Sequence, residues 1–481
     1  MMTREQYIES LRKLNLNVFM FGEKVENPVD DPMISPSMNS VAETYAAAEM
    51  PEYEELMTVT SSLTGEKINR FTHLHQSTED LINKVKMQRL LGQRTASCFQ
   101  RCVGLDAANA IYSTAYEIDQ AKGTNYLENF TNYWKRIQTE DLTVDGAMTD
   151  PKGDRSLSPS AQPDPDVYLR VVERRDDGVV VRGAKMHQTG MINSHEVVVM
   201  PTISLRPEDK DYAICFGIPT DSEGIIIVYG RQSCDTRKLE DDADIDLGNK
   251  HYGGHETLVI FDDVFVPNHL IFMDGEAEFA GMMVERFAGY HRQSYGGCKV
   301  GVGDVLIGAA ALASEYNGVP KASHVKDKII EMTHLNETLY ACGIACSSQG
   351  TKLPAGNYMI DLLLANVCKQ NVTRFPYEIA RLAEDIAGGV MVTMPAASDL
   401  RHQKIGPYIE KYMKAAAPSA EARMRIMRLI ENITLGTAAV GYRTESMHGA
   451  GSPQAQRIMI SRQSDLPAKV KCAKRIAGIK E

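Results

Sequence analysis

The middle of the chain differs from both ends in its pattern of apolar residues, and this order of segments limits the folds open to it. From about residue 145, short runs rich in β-branched and aromatic residues alternate with turn residues, as strands do. The runs cover 167–173, 179–185, 196–203, 212–218, 224–229 and 257–266. Asp177 and Gly178 between the first two favour a hairpin turn. The pattern predicts a small antiparallel β-domain.

Helical patterns occupy the chain on both sides of these strands. Near the start, Thr3 and Gln6 have the spacing of a capping box, and Ser77 precedes a long helical periodicity. Behind the strands, helical patterns return over 323–348, 359–372, 378–394 and 420–440. We therefore predict an α+β fold with an N-terminal helical domain at 1–144, a β-domain at 145–275 and a C-terminal helical domain at 276–481.

Composition and charge exclude several classes of function. The formal net charge of −11 argues against a general nucleic-acid-binding surface. No apolar run approaches the length of a membrane span and the N-terminus has no signal-peptide core, so we expect no membrane partner. Nine cysteines, an odd number in a long acidic chain, fit a reducing compartment better than a disulfide framework. These features predict a cytoplasmic protein.

The segment Glu285–Gly303 concentrates side chains that bind metals and transfer protons. Each residue of a helix turns by about 100°, so His291, Tyr295 and Cys298 would share one face of a helix here. Lys299 follows the cysteine directly. On this segment alone, a packed core helix with an inert thiol is the alternative interpretation.

Two adjacent glycines interrupt the same segment. Gly296 and Gly297 each cost a helix interior about 1 kcal/mol relative to alanine. Two such positions beside a cysteine indicate that something bulky approaches the backbone there.

Two pairs of cysteines elsewhere have helical spacing. Cys98 and Cys102 in ASCFQRCVGL are four residues apart, which predicts neighbouring positions on one helix face. With the thiol and imidazole of the central segment they would form a set of ligands that suits zinc or an iron–sulfur cluster. Cys342 and Cys346 have the same spacing. Spacing alone does not decide between the two pairs.

Two loops of the predicted β-domain are rich in polar groups. The segment 149–155 reads TDPKGDR, and 187–190 reads HQTG directly after a predicted strand. Such loops can offer backbone N–H groups, a guanidinium and a hydroxyl to a phosphate or a flavin ring, although solvated loops have the same composition. No GxGxxG motif follows a strand, so we do not expect a dinucleotide bound in the Rossmann manner.

Taken together, these motifs resemble a known family. The helix–strand–helix order, with FDDVFVP at 261–267, resembles the acyl-CoA dehydrogenase-like fold and the 4-hydroxyphenylacetate 3-hydroxylase superfamily. The two cysteines of ASCFQRC combined with HRQSYGGCK resemble, more narrowly, the 4-hydroxybutyryl-CoA dehydratase family, which also has vinylacetyl-CoA Δ-isomerase activity. The resemblance extends over nearly the whole chain, including MTDPKGDR, HQTG and YRTESMHGAGSPQAQRIMI.

The resemblance implies a cytoplasmic homotetramer that binds FAD and a [4Fe–4S] cluster and takes a CoA thioester as substrate. The implied reaction is dehydration of 4-hydroxybutyryl-CoA to crotonyl-CoA by a flavin radical mechanism, with the cluster as Lewis acid, together with isomerisation of vinylacetyl-CoA to crotonyl-CoA. Its setting would be the fermentation of 4-aminobutyrate or succinate. The alternatives are a flavin-dependent aromatic hydroxylase of the same fold and a non-enzymatic redox sensor that binds a cluster.

The resemblance also assigns roles to individual residues, and it implies that Cys342 and Cys346 serve only in helix packing. The implied cluster ligands are Cys98, Cys102, His291 and Cys298. The implied catalytic residues are His291, Tyr295, Glu445, Glu256 and Lys299, with Gln100 a weaker candidate. The implied FAD contacts are Asp150, Lys152, Gly153, Asp154, Arg155, His187, Gln188, Thr189, Asp385, Ala387, Gly388 and Gly389. The base remains open among the histidine and the two glutamates.

Overall fold

The computed structural model describes residues 1–479, in which helices are combined with two larger β-sheets and two two-stranded ones. The predicted capping box begins the first helix, because Thr3 and Gln6 exchange hydrogen bonds between side chain and backbone. Ser77 begins the fourth helix by accepting a hydrogen bond from the backbone of Asp80. The N-terminal helices are α1 (Arg4–Leu11), α2 (Ser35–Glu49), α3 (Glu54–Met57), α4 (Thr78–Thr95), α5 (Cys102–Lys122) and α6 (Tyr126–Glu140).

The N-terminal region also contributes strands, which the sequence pattern did not indicate. These strands are β1 (Val18–Met20), β2 (Glu23–Lys24), β3 (Thr58–Thr60) and β4 (Lys67–Asn69). The strands of the middle region are β5 (Val144–Ala147), β6 (Arg170–Arg175), β7 (Gly178–Thr189), β8 (Glu196–Val199), β9 (Ile214–Pro219), β10 (Ile225–Tyr229), β11 (Glu256–Pro267) and β12 (Ile271–Asp274). Each predicted run therefore overlaps a strand of the structure.

The two larger sheets are mainly but not entirely antiparallel. One has the order β2-β1-β10-β11-β7-β6 and the other β12-β9-β8-β5. The predicted hairpin joins β6 to β7, with Arg175 paired to Gly178. The other pairs within the middle region are antiparallel as predicted, whereas β5–β8 is parallel, as is the pair that β10 forms with the N-terminal β1. Every residue of β5 and β8 is buried, which is typical of parallel strands and gives no alternating pattern from which direction could be inferred.

The C-terminal region is a helical bundle. Its elements are α7 (Ala277–Tyr316), α8 (Ser323–Ser348), β13 (Thr351–Lys352), β14 (Tyr358–Met359), α9 (Leu362–Val372), α10 (Phe375–Ala387), α11 (Val390–Thr393), α12 (Ala397–Arg401), α13 (Gly406–Met413), α14 (Ala420–Thr434), α15 (Thr437–Ala439), α16 (Glu445–His448), α17 (Pro453–Gln463) and α18 (Leu466–Ile476). The helix predicted over 378–394 is broken at Gly388, whose φ is 74°. The helix predicted over 420–440 ends at Thr434, because Gly436 adopts an extended backbone with φ of −88° and ψ of −157°. A π-helical turn over Val440–Thr444 follows the short helix α15.

The 40-residue helix α7 is the centre of the bundle and contacts α4, α5, α8, α9, α10 and α14. By length and composition it could cross a membrane, contrary to the sequence expectation, but 67% of its apolar window is buried inside the molecule. The two glycines of α7 are explained by helix packing. A Cβ on Gly297 would lie 2.4 Å from the Val85 carbonyl of α4, and one on Gly296 would lie 2.6 Å from the Gly343 Cα of α8.

Candidate active site

A cavity of about 640 Å³ lies between the β-sheets and the helical bundle. This volume is within the range of about 300–1,000 Å³ that is usual for small-molecule and cofactor sites. Its walls come from the segment between α4 and α5, from the ends of β5 and β7, from α7, and from residues 438–455.

Helix α7 presents its predicted polar face to this cavity. His291, Tyr295, Cys298 and Lys299 all line the wall, and they lie on one helix as predicted. The rings of His291 and Tyr295 meet edge to face, with their centroids 5.0 Å apart. The sequence spacing therefore placed His291, Tyr295 and Cys298 correctly on one helix, and the structure adds Lys299 to the same wall.

Cys98 and Cys102 also line the cavity, but they do not share a helix. Helix α4 ends at Thr95 and α5 begins at Cys102, so the prediction of two cysteines on one helix face is wrong. Ala96 and Gln100, which lie between α4 and α5, have left-handed backbone angles, with φ of 47° and 65°. These two residues interrupt the helix and turn Cys98 toward the cavity.

The three thiols and the imidazole form one set of potential metal ligands. Cys98, Cys102 and Cys298 line the same cavity as His291. Burial raises the pKa of the Cys102 thiol. Across residues 1–479, no three His, Cys, Asp or Glu side chains converge closely enough to hold a single metal ion. A cluster binds each ligand through a separate iron atom, and therefore needs more widely spaced ligands than one ion does. Thiols and an imidazole of this kind suit zinc or an iron–sulfur cluster.

The competing cysteine pair lies elsewhere in the helical bundle. Cys346 is fully buried and its Sγ donates to the Gly343 carbonyl at 3.2 Å. Cys342 contacts the amide of Asn371 on α9, 3.9 Å from its Sγ. These contacts are those of residues that pack α8 against α9.

Tyr295, Lys299 and Glu445 form a hydrogen-bonded network at the cavity wall. The Tyr295 hydroxyl donates to Oε1 of Glu445 at 2.9 Å, and Nζ of Lys299 donates to Oε2 at 2.6 Å. Burial alone would raise the pKa of Glu445, but the Lys299 ammonium, together with His291 and the Tyr295 hydroxyl, outweighs burial and lowers that pKa. Burial would lower the pKa of Lys299, and the carboxylate raises it instead. Glu445 is therefore ionised at neutral pH.

The resemblance assigned Glu445 to the same site as Tyr295 and Lys299, but no spacing pattern connected it with α7. In the structure Glu445 directly follows the π-helical turn. The Gly441 carbonyl of this turn accepts a second hydrogen bond from Lys299 at 2.6 Å. Single π-turns occur frequently at functional sites because they redirect one residue of a helix. No pattern of the sequence predicts where such a turn falls.

Lys369 is a second buried amine beside this network, and the sequence analysis missed it. Its Nζ lies 4.5 Å from the centre of the Tyr295 ring and donates to the Ser446 carbonyl. Burial lowers the pKa of Lys369 to about 7, although Glu445 opposes the shift. A lysine among the apolar residues of LLLANVCKQNV was the signal that could have revealed it.

The second predicted glutamate, Glu256, lies at the start of β11 on the same cavity. The Thr189 hydroxyl donates to its Oε2 at 2.5 Å. Burial raises the pKa of Glu256, and the charge of Glu445 raises it further. Glu256 therefore keeps its proton to a higher pH than Glu445 does. Two carboxyl groups whose pKa values are pushed apart are typical of acid–base sites.

Asp145 of β5 is a cavity residue that the sequence analysis did not single out. Burial raises the pKa of Asp145 to about 7. Its Oδ2 has no hydrogen-bond partner among the described residues. A bound molecule with an N–H or O–H donor would satisfy this oxygen.

We expect Asp145→Asn to change how the stability of the flavin-free protein depends on pH. The raised pKa means that the folded state keeps a proton that the unfolded state releases, so stability falls as pH rises from about 4 through 7. Each pKa unit corresponds to about 1.4 kcal/mol, and the variant should lose most of this fall. Urea unfolding at several pH values measures it. The control Asp177→Asn, at an exposed turn, should match the parent, and identical profiles for all three proteins would contradict the prediction.

The residues predicted to contact FAD fall into three groups. Those that line the cavity are Lys152, Arg155, His187, Gln188 and Thr189. Those that shape the loop behind it are Asp150, Gly153 and Asp154. Those at the end of α10 and beyond it are Asp385, Ala387, Gly388 and Gly389, where Asp385 pairs with Lys328 at 2.6 Å.

Backbone geometry at the first two groups is unusual. Lys152 and His187 adopt left-handed angles, with φ of 75° and 59°, which non-glycine residues rarely do. Asp150 pairs with the buried Lys185 at 3.0 Å and accepts the backbone N–H of Leu169. The loop is thus held in place from behind while the cationic side chains of Lys152 and Arg155 remain at the cavity.

Gln100, the weaker catalytic candidate, belongs to a separate polar network. Its Oε1 accepts from Asn193 at 2.6 Å, and its Nε2 donates to Ser37 at 3.2 Å. Its side chain is therefore occupied by contacts within the protein.

Comparisons with known proteins cover the whole chain. The N-terminal model of the 4-hydroxyphenylacetate 3-hydroxylase family matches residues 3–273, and the C-terminal model matches residues 280–478. A 4-hydroxybutyryl-CoA dehydratase/vinylacetyl-CoA-Δ-isomerase of Clostridium aminobutyricum is 69% identical over the full length of both chains. The oxygenase component of a 4-hydroxyphenylacetate 3-monooxygenase of Thermus thermophilus is 27% identical over 90% of this chain and 88% of its own.

Comparison with solved structures gives the same two groups of relatives. An oxygen-tolerant archaeal 4-hydroxybutyryl-CoA dehydratase from N. maritimus superposes with a TM-score of 0.98, at 58% identity, over 100% of this chain and 95% of its own. A variant of the oxygenase HpaB in complex with FAD superposes with a TM-score of 0.87, at 25% identity, over 99% and 98% of the two chains.

Proposed function

The chain belongs to the 4-hydroxyphenylacetate 3-hydroxylase family, and within it we propose that this enzyme dehydrates 4-hydroxybutyryl-CoA to crotonyl-CoA and isomerises vinylacetyl-CoA to crotonyl-CoA. The predicted α+β, acyl-CoA dehydrogenase-like fold is confirmed by its solved relatives. The full-length identity of 69% to a dehydratase/isomerase supports the main interpretation rather than the aromatic hydroxylase. The structural observation that carries the proposal is the set of three thiols and one imidazole beside the Tyr295–Glu445–Lys299 network.

We propose that the cavity holds both FAD and a [4Fe–4S] cluster. The cluster ligands would be Cys98, Cys102, His291 and Cys298, since these are the three thiols of the cavity and the imidazole that lies on the same helix as Cys298. The flavin would lie against the cationic loop and the strand end described above, which a family relative with bound FAD supports. When bound, a flavin supplies a transient one-electron acceptor, and an iron atom supplies a Lewis acid for the substrate hydroxyl.

The protein's own residues would move the protons. The Cα–H next to a thioester is acidic enough for a carboxylate to remove, and Glu445 is the cavity carboxyl that is ionised at neutral pH. Glu256 keeps its proton to higher pH, which suits a group that returns a proton. The Tyr295 hydroxyl, held by Glu445, is a donor for the leaving oxygen. Lys299 keeps Glu445 ionised and in place.

An anaerobic analysis of the purified protein tests this proposal against its alternatives. We expect a brown protein that contains flavin. Iron and sulfide should be present in equal amounts that correspond to one [4Fe–4S] cluster per flavin. The protein should form crotonyl-CoA from both substrates. A flavin-dependent hydroxylase would contain no iron. A redox sensor would contain iron and turn over neither CoA ester. Either result would contradict the proposal.

We further propose that the enzyme works as a homotetramer in the cytoplasm. The segment from Asp385 to Gly389 resembles a flavin-binding stretch, yet in this chain it lies at the end of α10 rather than on the cavity wall. Assembly of several copies would bring this segment to the flavin of a neighbouring subunit. Light scattering of the purified protein measures the mass, and a monomer with full activity would contradict this part of the proposal.

A further inference from the structure

A buried carboxylate lies directly behind His291. Asp106 of α5 lies with its Oδ2 2.8 Å from Nδ1 of His291. The Asp106 side chain is 0% exposed, whereas His291 lines the cavity. Nδ1 of His291 is thus hydrogen-bonded inside the protein, and Nε2 is the ring nitrogen that remains available to the cavity.

Further hydrogen bonds fix Asp106 in this position. The Ser294 hydroxyl donates to the same Oδ2 at 3.0 Å, and Nζ of Lys84, on α4, donates to Oδ1. Lys84 is itself 0% exposed, and it also donates to the Tyr290 carbonyl and to Oε1 of Gln293, each at 3.0 Å. Each hydrogen of its ammonium therefore has an acceptor, as a stable buried ion pair requires.

We propose that Asp106 is a positioning residue for His291, held in place by Lys84 and Ser294. The carboxylate keeps the ring hydrogen on Nδ1, so the lone pair of Nε2 points toward the cavity. An imidazole binds a metal only through a nitrogen without hydrogen, and carboxylates behind metal-bound histidines commonly fix that tautomer. The inference rests on the proposed function, because the iron that Nε2 would meet belongs to the proposed cluster.

A purely structural role is the competing explanation, because this ion pair joins α4, α5 and α7. The chain offers a matched control for it. Arg89 of α4 forms a bidentate ion pair with Asp304 of α7, at 2.8 and 3.0 Å, and Asn336 also donates to Asp304 at 2.8 Å. Asp304→Asn removes an ion pair between two of the same helices without touching His291.

The test replaces Asp106 with asparagine in the anaerobically purified holoenzyme. Lys84 still needs an acceptor, so the amide oxygen turns toward it and the amide N–H turns toward Nδ1 of His291. The ring hydrogen then moves to Nε2. We expect the nitrogen hyperfine coupling of the reduced cluster to be lost or strongly shifted in electron–nuclear double resonance. We also expect kcat for dehydration to fall about 10–100-fold.

The controls separate positioning from stability. Asp304→Asn should lower the melting temperature while leaving the nitrogen coupling and kcat as in the parent. If Asp106→Asn does not fold, Ser294→Ala removes one donor to Asp106 and should shift the coupling in the same direction by less. An unchanged coupling and kcat in either folded variant would overturn the inference. A parent protein without iron would instead contradict the proposed function itself.

Discussion

Anaerobically purified Cys298→Ser is expected to lose most of its iron and to dehydrate 4-hydroxybutyryl-CoA at least about 100-fold more slowly than the parent. The thiol lies on the cavity wall beside Cys98 and Cys102, which it influences electrostatically. Loss of a direct ligand should exceed the 10–100-fold effect of losing a group behind a ligand. Iron analysis, flavin content and a coupled assay for crotonyl-CoA measure the outcome.

Cys342→Ser is the matched control, because it makes the same chemical change in the helical bundle away from the cavity. Within residues 1–479, the side-chain hydrogen-bond partner of the Cys342 thiol is the Asn371 amide. This variant should keep the iron content and activity of the parent. Equal iron in both variants would show that the cluster ligands have been assigned to the wrong cysteines.

The sequence predicted most of the fold because the strongest patterns lie in elements whose structure follows from their own local sequence. Helix α8 has the predicted bounds of 323–348, and each predicted run of the middle region overlaps a strand. The errors arise where tertiary contacts decide. The strand β1 pairs with β10 in parallel and with β2 in antiparallel orientation, and its three residues carry too little pattern to reveal this. The helix expected around Cys98 fails because Ala96 and Gln100 adopt left-handed angles, which their side chains do not predict.

The site was predictable to the extent that it lies on one helix. The shared position of His291, Tyr295 and Cys298 follows from helical spacing, and Lys299 follows Cys298 directly in the sequence. The other residues of the site come from distant segments: Glu445 directly follows a π-turn, Asp145 lies on a parallel strand and Asp106 lies on α5. No local pattern marks such partners, because their proximity to α7 arises only when the helices and sheets pack together.

The structure also changes what is expected of Glu445. Although 150 residues separate it from Tyr295, its two oxygens accept hydrogen bonds from Tyr295 and Lys299. Replacing it with glutamine removes the ionised carboxylate that can take the Cα proton, and both reactions need that step. We therefore expect Glu445→Gln to lower dehydration and isomerisation alike.

Tyr295→Phe is expected to lower dehydration by about 10²–10⁴-fold, the usual contribution of a positioned proton donor, and isomerisation by far less. Dehydration must break the Cγ–O bond, and the Tyr295 hydroxyl is the donor that Glu445 holds at the cavity. Moving a double bond requires only proton removal at Cα and return at Cγ, which the carboxyl groups can perform. The phenylalanine ring keeps its place between His291 and Lys369, so the cavity should keep its shape.

Both reactions are to be measured on Tyr295→Phe, Glu445→Gln and Glu256→Gln proteins whose flavin and iron contents match the parent. Matched cofactors ensure that a lost activity reflects the missing side chain rather than an empty site. The phenylalanine variant should have a much lower ratio of dehydration to isomerisation than the parent, whereas Glu445→Gln should keep that ratio. If every variant loses the two activities in the same proportion, the hydroxyl of Tyr295 does not act on the leaving group, and its bond to Glu445 serves only to hold the carboxylate in place.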